Sequence, residues 1–208
     1  EKSELREMAN CVYSAHRILR ESFAGWIADI DIPLPDKPQS FGDECIFLNF
    51  NYTDTLQKRF GVNDDDIYYI HGRASSPKSI IFGHSSFPEP PQRFLKRLGG
   101  RFGGLYILER ALYRTDKHVR QNIVRYIDYL AKHKIGIYNV RDVYILGHSF
   151  GEADYDYFKF LADTTGYYAQ WHISYYSESD KKHITKIMRS IGFDNYKFDV
   201  CTENLLHK

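Results

Sequence analysis

Apolar residues recur at steps of three and four along residues 3–28, a spacing that predicts an amphipathic helix. Ser3 precedes the apolar positions as an N-cap. The apolar stripe consists of Leu5, Met8, Val12, Ala15, Ile18, Leu19 and Phe23. The following segment, residues 30–44, contains three prolines and no apolar period, so it is predicted to be a connecting loop.

From residue 45 onward, short apolar runs alternate with helical patterns. Strands are predicted at residues 45–50, 67–71, 79–84, 142–147, 170–177 and 195–200. Helices are predicted at residues 53–61, 90–100, 104–134, 152–165 and 178–192. In residues 104–134 the apolar stripe runs through Leu112, Val119, Ile123, Ile127 and Leu130.

This alternation predicts an α/β, Rossmann-like three-layer domain with a mainly parallel sheet and helices on both faces. The expected organisation is one domain over residues 1–208. Its helix and linker occupy residues 1–43 and its core residues 44–208, with a helical insertion at about 90–134. The sequence starts with Glu rather than Met, so an upstream segment is expected.

The composition limits the classes of partner. With 28 basic and 27 acidic residues the net charge is +1, which gives no argument for a nucleic-acid partner. The 17 Tyr and 14 Phe are expected mainly in the core and on half-buried strand faces. Cys11, Cys45 and Cys201 are widely spaced and form no C-x-x-C pair, a pattern that suits a reducing cytoplasm. No apolar run approaches the roughly 18 residues of a membrane span, so no membrane partner is expected.

Polar residues follow four of the predicted strands. In parallel α/β sheets ligands bind outside the carboxyl ends of strands, so these tips are predicted to form one site. They are Asn51, His71-Gly72, Gly83-His84-Ser85 and Gly147-His148-Ser149. Asn, Ser and Gly are also ordinary turn residues, which leaves a purely structural interpretation open. No carboxylate stands at ligand spacing beside the histidines and no H-x-x-x-H occurs, so a metal is not expected.

Residues 147–151 read GHSFG and match G-x-S-x-G, the nucleophile turn of serine hydrolases. A hydrolase using Ser149 would need an acid and a base after it, and the candidates are Asp180 or Asp194 with His183 or His207. Only 59 residues follow Ser149, which leaves little room for that arrangement.

The same turn is more easily interpreted as a phosphate cradle. Gly147 would let the backbone approach a ligand, and the amides that open helix 152–165 would face an anion. Ser149 would donate a hydrogen bond without attacking. Asp154 would hold ribose hydroxyls or simply complement the helix dipole.

Several motifs together resemble the AbiH family of bacterial phage abortive-infection proteins. They are FLNFNYTDTL, YIHG, FGHS, YILGHSFGEADYDYF and WHISYYSESD, and the resemblance runs from about residue 44 to the C-terminus. Members of that family usually open with a strand and an I-x-G-N-G-F-D stretch, which this sequence lacks.

AbiH proteins are in turn similar to SIR2-like NAD-consuming domains through F-N-Y-D, H-G and G-x-S patterns. That resemblance implies that Asn51 and His71 are catalytic and that Gly147 and Ser149 hold a dinucleotide. Thr53 stands where the pattern has Asp, which puts a ribose contact there in doubt. The zinc-binding C-x-x-C module of sirtuin deacetylases is absent, so the resemblance implies NAD cleavage or nucleotide binding rather than deacetylation.

The resemblance therefore implies a cytoplasmic antiphage protein that hydrolyses NAD through Asn51 and His71. Together with the strand tips and the cradle interpretation, it gives expected nucleotide contacts from Gly72, Gly83, His84, Gly147, His148, Ser149 and Asp154. The alternative is a nucleotide-sensing or interaction module without turnover. A homo-oligomer or a phage-derived trigger would be further partners.

Overall fold

The computed structural model describes residues 2–34, 41, 45–82, 118–165 and 168–201. The chain divides into two compact units, Glu1–His118 and Val119–Lys208, and each is described by itself. The expected helix at 90–100 and the first part of the expected helix at 104–134 lie outside the described residues. No helix in the described ranges is both long and apolar enough to cross a membrane.

Unit 1 opens with helix α1 (Lys2–Ala28), which confirms the predicted helix. Its predicted apolar stripe is only partly right. The side chains that pack against unit 1 include those of Ala9, Ala24 and Phe23, whereas Ile18 and Leu19 are each 55% exposed. The contacts of α1 are made by small side chains and by aromatic rings near the strand tips. Hydrophobicity alone does not show which apolar residues of the helix make such contacts.

Two short strands, β1 (Phe47–Asn49) and β2 (Ile67–Tyr69), pair in parallel. Helix α2 (Thr55–Phe60) connects them and ends at Gly61, where a left-handed φ of 66° lets the amide donate to the carbonyl of Gln57. A 3₁₀ turn at Asp64–Asp66 precedes β2. The predicted strand–helix–strand order of this region is therefore confirmed.

The predicted strand at 79–84 is wrong over the residues that the structure describes. Pro77–Ser79 form a 3₁₀ turn, and residues 80–82 belong to no strand. The amide of Ile80 donates to the carbonyl of Pro77, and the amide of Ile81 donates to the carbonyl of His71. These bonds fold the apolar run back over the end of β2 rather than along a sheet. Gly83 and His84 lie outside the described residues.

In the described part of unit 2, three strands lie in the order β3-β4-β5, all parallel. Its elements are α3 (Val119–Lys132), β3 (Asp142–Ile145), α4 (Tyr155–Thr165), β4 (Gln170–Tyr175), α5 (Glu178–Ser190) and β5 (Tyr196–Cys201). A 3₁₀ turn at Glu152–Asp154 leads into α4. The mixed α/β class with short parallel sheets is confirmed, and the three-layer Rossmann arrangement stays a prediction.

Strand β4 forms the centre of the unit 2 core because it is flanked by strands on both sides. Trp171 and Ile173 on β4 are fully buried, as are Ile184 and Met188 on α5. In α3 the predicted stripe needs correction, because Ile127 is 44% exposed while Tyr126 is buried.

Buried polar side chains in this core are paired. The indole N–H of Trp171 donates to the hydroxyl of Thr165 at 3.1 Å, and the amide of Asn122 donates to the hydroxyl of Tyr157 at 3.0 Å. Unpaired buried donors are costly, so these two bonds fix how α3, α4 and β4 pack.

Replacing Thr165 by Val should destabilise unit 2 by about 1–3 kcal/mol, because the buried indole N–H of Trp171 loses its acceptor while the volume barely changes. Urea unfolding followed by tryptophan fluorescence measures this. The neighbouring Thr164→Val is the matched control, because the Thr164 hydroxyl bonds only helix carbonyls of Phe160 and Leu161. Equal losses in the two variants would contradict the assignment.

Candidate functional site

Asn51 and His71 follow the two parallel strands of unit 1 at the same level. The register pairs Asn49 with Tyr69, so each candidate residue stands two positions beyond a matched pair. The predicted neighbourhood of these two strand tips is therefore confirmed. Asn51 is exposed, whereas His71 is only 3% exposed. One candidate side chain thus faces solvent and the other belongs to the interior.

Asn49 is a buried amide that positions the first tip. It is 8% exposed, and its Oδ1 accepts the backbone N–H of Asn51 at 2.8 Å. Asn49 is not among the site residues predicted from the sequence. An amide at the end of an otherwise apolar strand is the signal that could have found it, since buried amides need partners.

His71 is packed by rings and by a tight turn. The ring centroid of Phe50 lies 5.6 Å away, edge-on, and that of Tyr52 lies at 6.4 Å. Gly72 adopts a φ of +79°, and a Cβ there would lie 2.1 Å from the carbonyl oxygen of Ser79. Glycine is therefore required at this position, because it lets the 77–80 segment close over the end of β2.

Helix α1 completes the surroundings of these tips. Phe23 meets Tyr52 and Phe82 edge-on, with centroid distances of 5.0 and 4.9 Å. Arg20 donates to the carbonyl of Lys78 and also to Nδ1 of His16. Burial, with the nearby Arg20 charge, lowers the pKa of His16. None of these residues was predicted to lie near the site.

Arg73 ties together the loops that follow the two strands. Its guanidinium donates to both carboxylate oxygens of Asp64 at 2.6 and 2.7 Å and forms an ion pair with Asp54 at 3.2 Å. It also lies 5.1 Å from the ring centroid of Tyr69. Hydrogen bonds from Gln57 and Arg73 lower the pKa of Asp64, and burial raises the pKa of Tyr69.

The GHSFG turn of unit 2 is braced by its own histidine. Nδ1 of His148 accepts the backbone N–H of Phe150 at 2.8 Å, and its Nε2 lies 3.4 Å from Oδ2 of Asp154. The ring packs edge-on against the stacked rings of Phe150 and Phe158, with centroid distances of 5.3 and 4.7 Å. A neutral ring that accepts at Nδ1 carries its proton on Nε2, which faces the carboxylate.

This geometry bears on the hydrolase alternative. The non-glycine residue with positive φ in the turn is Phe150 at 53°, not Ser149. Nε2 of His183 lies 3.4 Å from the carbonyl of Phe150, and Asp180 accepts the amide of Tyr176. In the part of the chain that the structure describes, no histidine bonds the Ser149 hydroxyl, so no Ser-His pair is assembled there; His207 lies outside that part.

The same turn offers a ligand fewer amides than the phosphate-cradle interpretation assumes. The amide of Gly147, whose φ is +62°, donates to the hydroxyl of Ser174 at 2.9 Å. The amide of Phe150 is bound by His148. Ser149 itself is exposed. Asp154 stands at the end of the 3₁₀ turn against His148, so its carboxylate already has a neighbour of its own. Among the described residues no group of three or more His, Cys, Asp or Glu could hold a metal ion.

Comparison with known proteins decides the family. The model of the family described as "Bacteriophage abortive infection AbiH" matches residues 1–175. The chain belongs to the AbiH family. The match begins at residue 1, earlier than the resemblance in the motifs, and spans both the 51–72 and the 147–154 regions. No curated protein and no solved structure gives a significant match.

Substituting Gly72 by Ala in this AbiH protein should destabilise unit 1 by about 3 kcal/mol or more, because the added Cβ meets backbone and φ is positive. Gly61→Ala is the control, since its φ of +66° is similar but no atom lies within 4 Å of the added Cβ. It should cost about 1–2 kcal/mol. Chemical denaturation measures both. Similar losses would show that the close approach at Gly72 is unimportant.

Acid should weaken unit 1 through Asp64. Because its pKa is lower in the folded than in the unfolded chain, its contribution to stability is present above the unfolded value and is lost as pH falls through the folded value. Below about pH 4, Asp64→Asn should therefore lose less stability than the wild type does. Asp66→Asn, which leaves Gln57 and Arg73 in place, should follow the wild type. Denaturant midpoints measured against pH test this.

Proposed function

We propose that this AbiH protein acts against phage by hydrolysing NAD at the nicotinamide–ribose bond, with Asn51 and His71 as its catalytic residues. One observation carries the proposal: the two residues each stand two positions beyond the last matched pair of neighbouring parallel strands. Carboxyl ends of parallel strands are where α/β folds bind ligands. Membership in the abortive-infection family supports the antiphage role.

The chemistry suits these two side chains. Water adds to the anomeric carbon of the ribose, and the bond to nicotinamide breaks with its electron pair leaving on the ring nitrogen. The exposed amide of Asn51 would orient the water and a ribose hydroxyl. His71 would take the proton that the water releases, as a general base. The products are nicotinamide and ADP-ribose.

The remaining contacts belong to the same proposal. Gly72 would let the nucleotide approach the backbone beside His71. A contact from the exposed hydroxyl of Ser149, next to Gly147, to a phosphate or ribose oxygen is proposed on the sequence resemblance alone. His148 and Asp154 would support that turn through the brace between them. Gly83 and His84 are proposed on the sequence resemblance alone.

A second candidate is a nucleotide-binding module without turnover. The burial of His71 favours it, because a base that is 3% exposed needs a route for its proton. Thr53 favours it as well. It stands where the SIR2-like pattern has an acid, and its hydroxyl bonds that of Thr55, the first residue of α2, at 2.8 Å.

Nicotinamide release from NAD by the purified full-length protein tests the proposal, together with NAD levels in phage-infected cells. Asn51→Ala should reduce turnover by about 100-fold or more while leaving thermal stability unchanged, because Asn51 is exposed. His71→Gln should reduce turnover similarly, and its melting temperature separates loss of chemistry from loss of fold.

His183→Ala, on an exposed helix position of unit 2, is the matched control and should keep wild-type turnover. Turnover that survives in the Asn51 and His71 variants would refute the catalytic assignment. If calorimetry shows that NAD binds, and neither the purified protein nor the infected cells release nicotinamide, the second candidate function would be established instead.

A further inference from the structure

Helix α1 carries an uncharged seam on the side that faces away from unit 1. The seam follows alternating steps of three and four residues, and every position in it is exposed. Its members are Met8, Cys11, Ala15, Ile18, Ser22 and Gly25. At 1.5 Å per residue the stretch from residue 8 to residue 25 is about 26 Å long.

The spacing places this seam opposite the packed side of the helix. Alternating three- and four-residue steps are those of the a and d positions of a coiled coil. In the same frame His16, Arg20 and Phe23, which contact the 77–82 segment or Tyr52, fall on the far side. Apolar positions on both sides of a helix are typical of a helix that is covered on both sides.

Gly25 supplies an independent observation. Glycine in a helix interior destabilises the helix relative to alanine, so it usually has a packing reason. No atom lies within 4 Å of the position where a Cβ would stand on Gly25. Contacts among the described residues therefore give no reason for a glycine at this position. The close approach of another helix would give one, because a Cβ would stand in its way.

We propose that α1 pairs in antiparallel orientation with α1 of a second copy of this chain. In the register that overlaps the whole seam, Met8 lies opposite Gly25 of the other copy, Ala15 opposite Ile18, and Cys11 opposite Ser22. Each larger side chain then meets a small one, so the seam is complementary to itself.

The edges of the seam are compatible with this pairing. In an antiparallel coiled coil the e positions of the two helices face each other, and so do the g positions. Leu19 would flank Val12 of the other copy, and Glu21 would flank Ser14. No like charges are opposed, and the apolar edge extends the buried surface.

The size of the surface sets the strength of the pair. Met8, Ile18, Leu19 and Trp26 are 51–62% exposed. Each would bury about 100 Å² on pairing, which gives about 400 Å² per copy before the small residues are added. Stable complexes bury about 800 Å² per partner. The dimer is therefore expected to be of modest affinity and to depend on concentration.

Sedimentation velocity of the full chain tests the pairing. The wild type should shift from monomer to dimer as concentration rises into the tens of micromolar. Ile18→Glu should weaken the dimer by about tenfold or more, because it places a charge in a central layer. Asn10→Glu, at an exposed position of the same helix outside the seam, is the matched control and should dimerise like the wild type.

Gly25→Ala separates weaker dimerisation from misfolding, because the added methyl group meets no atom of the described chain within 4 Å. It should raise the melting temperature of the monomer, since alanine favours the helix, and at the same time weaken the dimer. A wild type that stays monomeric throughout, or a dimer that Ile18→Glu leaves intact, would overturn the proposal.

Cysteine cross-linking tests the orientation. With Cys45 and Cys201 replaced by Ser, Ser22→Cys should form a disulfide between Cys11 and position 22 of the other copy under mild oxidation. Arg17→Cys, on the same helix but off the seam, should cross-link far less. Equal cross-linking in these two proteins, or efficient linkage through Cys11 alone, would refute the antiparallel register.

Discussion

The arrangement of unit 1 depends on the parallel pairing of β1 with β2. Each strand has three residues, and so short a pair is marginal in water without further support. That support comes from side chains beyond the strands. Arg73 bonds Asp64 and pairs with Asp54, which ties the loop after one strand to the segments around the other. Asn49 then fixes the backbone of Asn51 from inside the pair.

Two histidines of the predicted site have similar sequence contexts but different surroundings in the structure. His71 and His148 both follow a strand next to a glycine. In the turn of unit 2, both nitrogens of His148 are directed at partners within the turn or the first residues after it. The ring therefore stabilises a strained Phe150, whose positive φ costs energy in any residue other than glycine. A G-x-S-x-G match specifies a sharp turn, and this turn is held without an activated serine.

The hydrophobic period predicted most of the regular elements, including α1, β1, α2, β2 and the three strands of unit 2. The hydrophobic period gave a wrong strand at 79–84, where backbone hydrogen bonds determine the conformation. The run Ile80-Ile81-Phe82 looks like a strand, but the carbonyl of His71 accepts the amide of Ile81, and this contact is long-range and invisible to a local pattern.

The candidate site was predictable to the extent that it lies at strand ends. Asn51 and His71 could be found from that rule alone. Arg73 could not, because its role comes from Asp54 and Asp64, on the other side of β2 in the sequence, and no local pattern pairs it with them. The composition was equally uninformative about α1, since a balanced net charge says nothing about an uncharged strip on one side of one helix.

Helix α1 carries both the side chains that contact the strand tips of unit 1 and the uncharged seam. Its packed side sends Phe23 against Tyr52, the residue after Asn51, and Arg20 to the carbonyl of Lys78, in the segment that closes over Gly72. Its other side carries the uncharged seam. The strand tips and the seam therefore depend on different side chains of the same helix, because the residues that contact Tyr52 and Lys78 are not members of the seam.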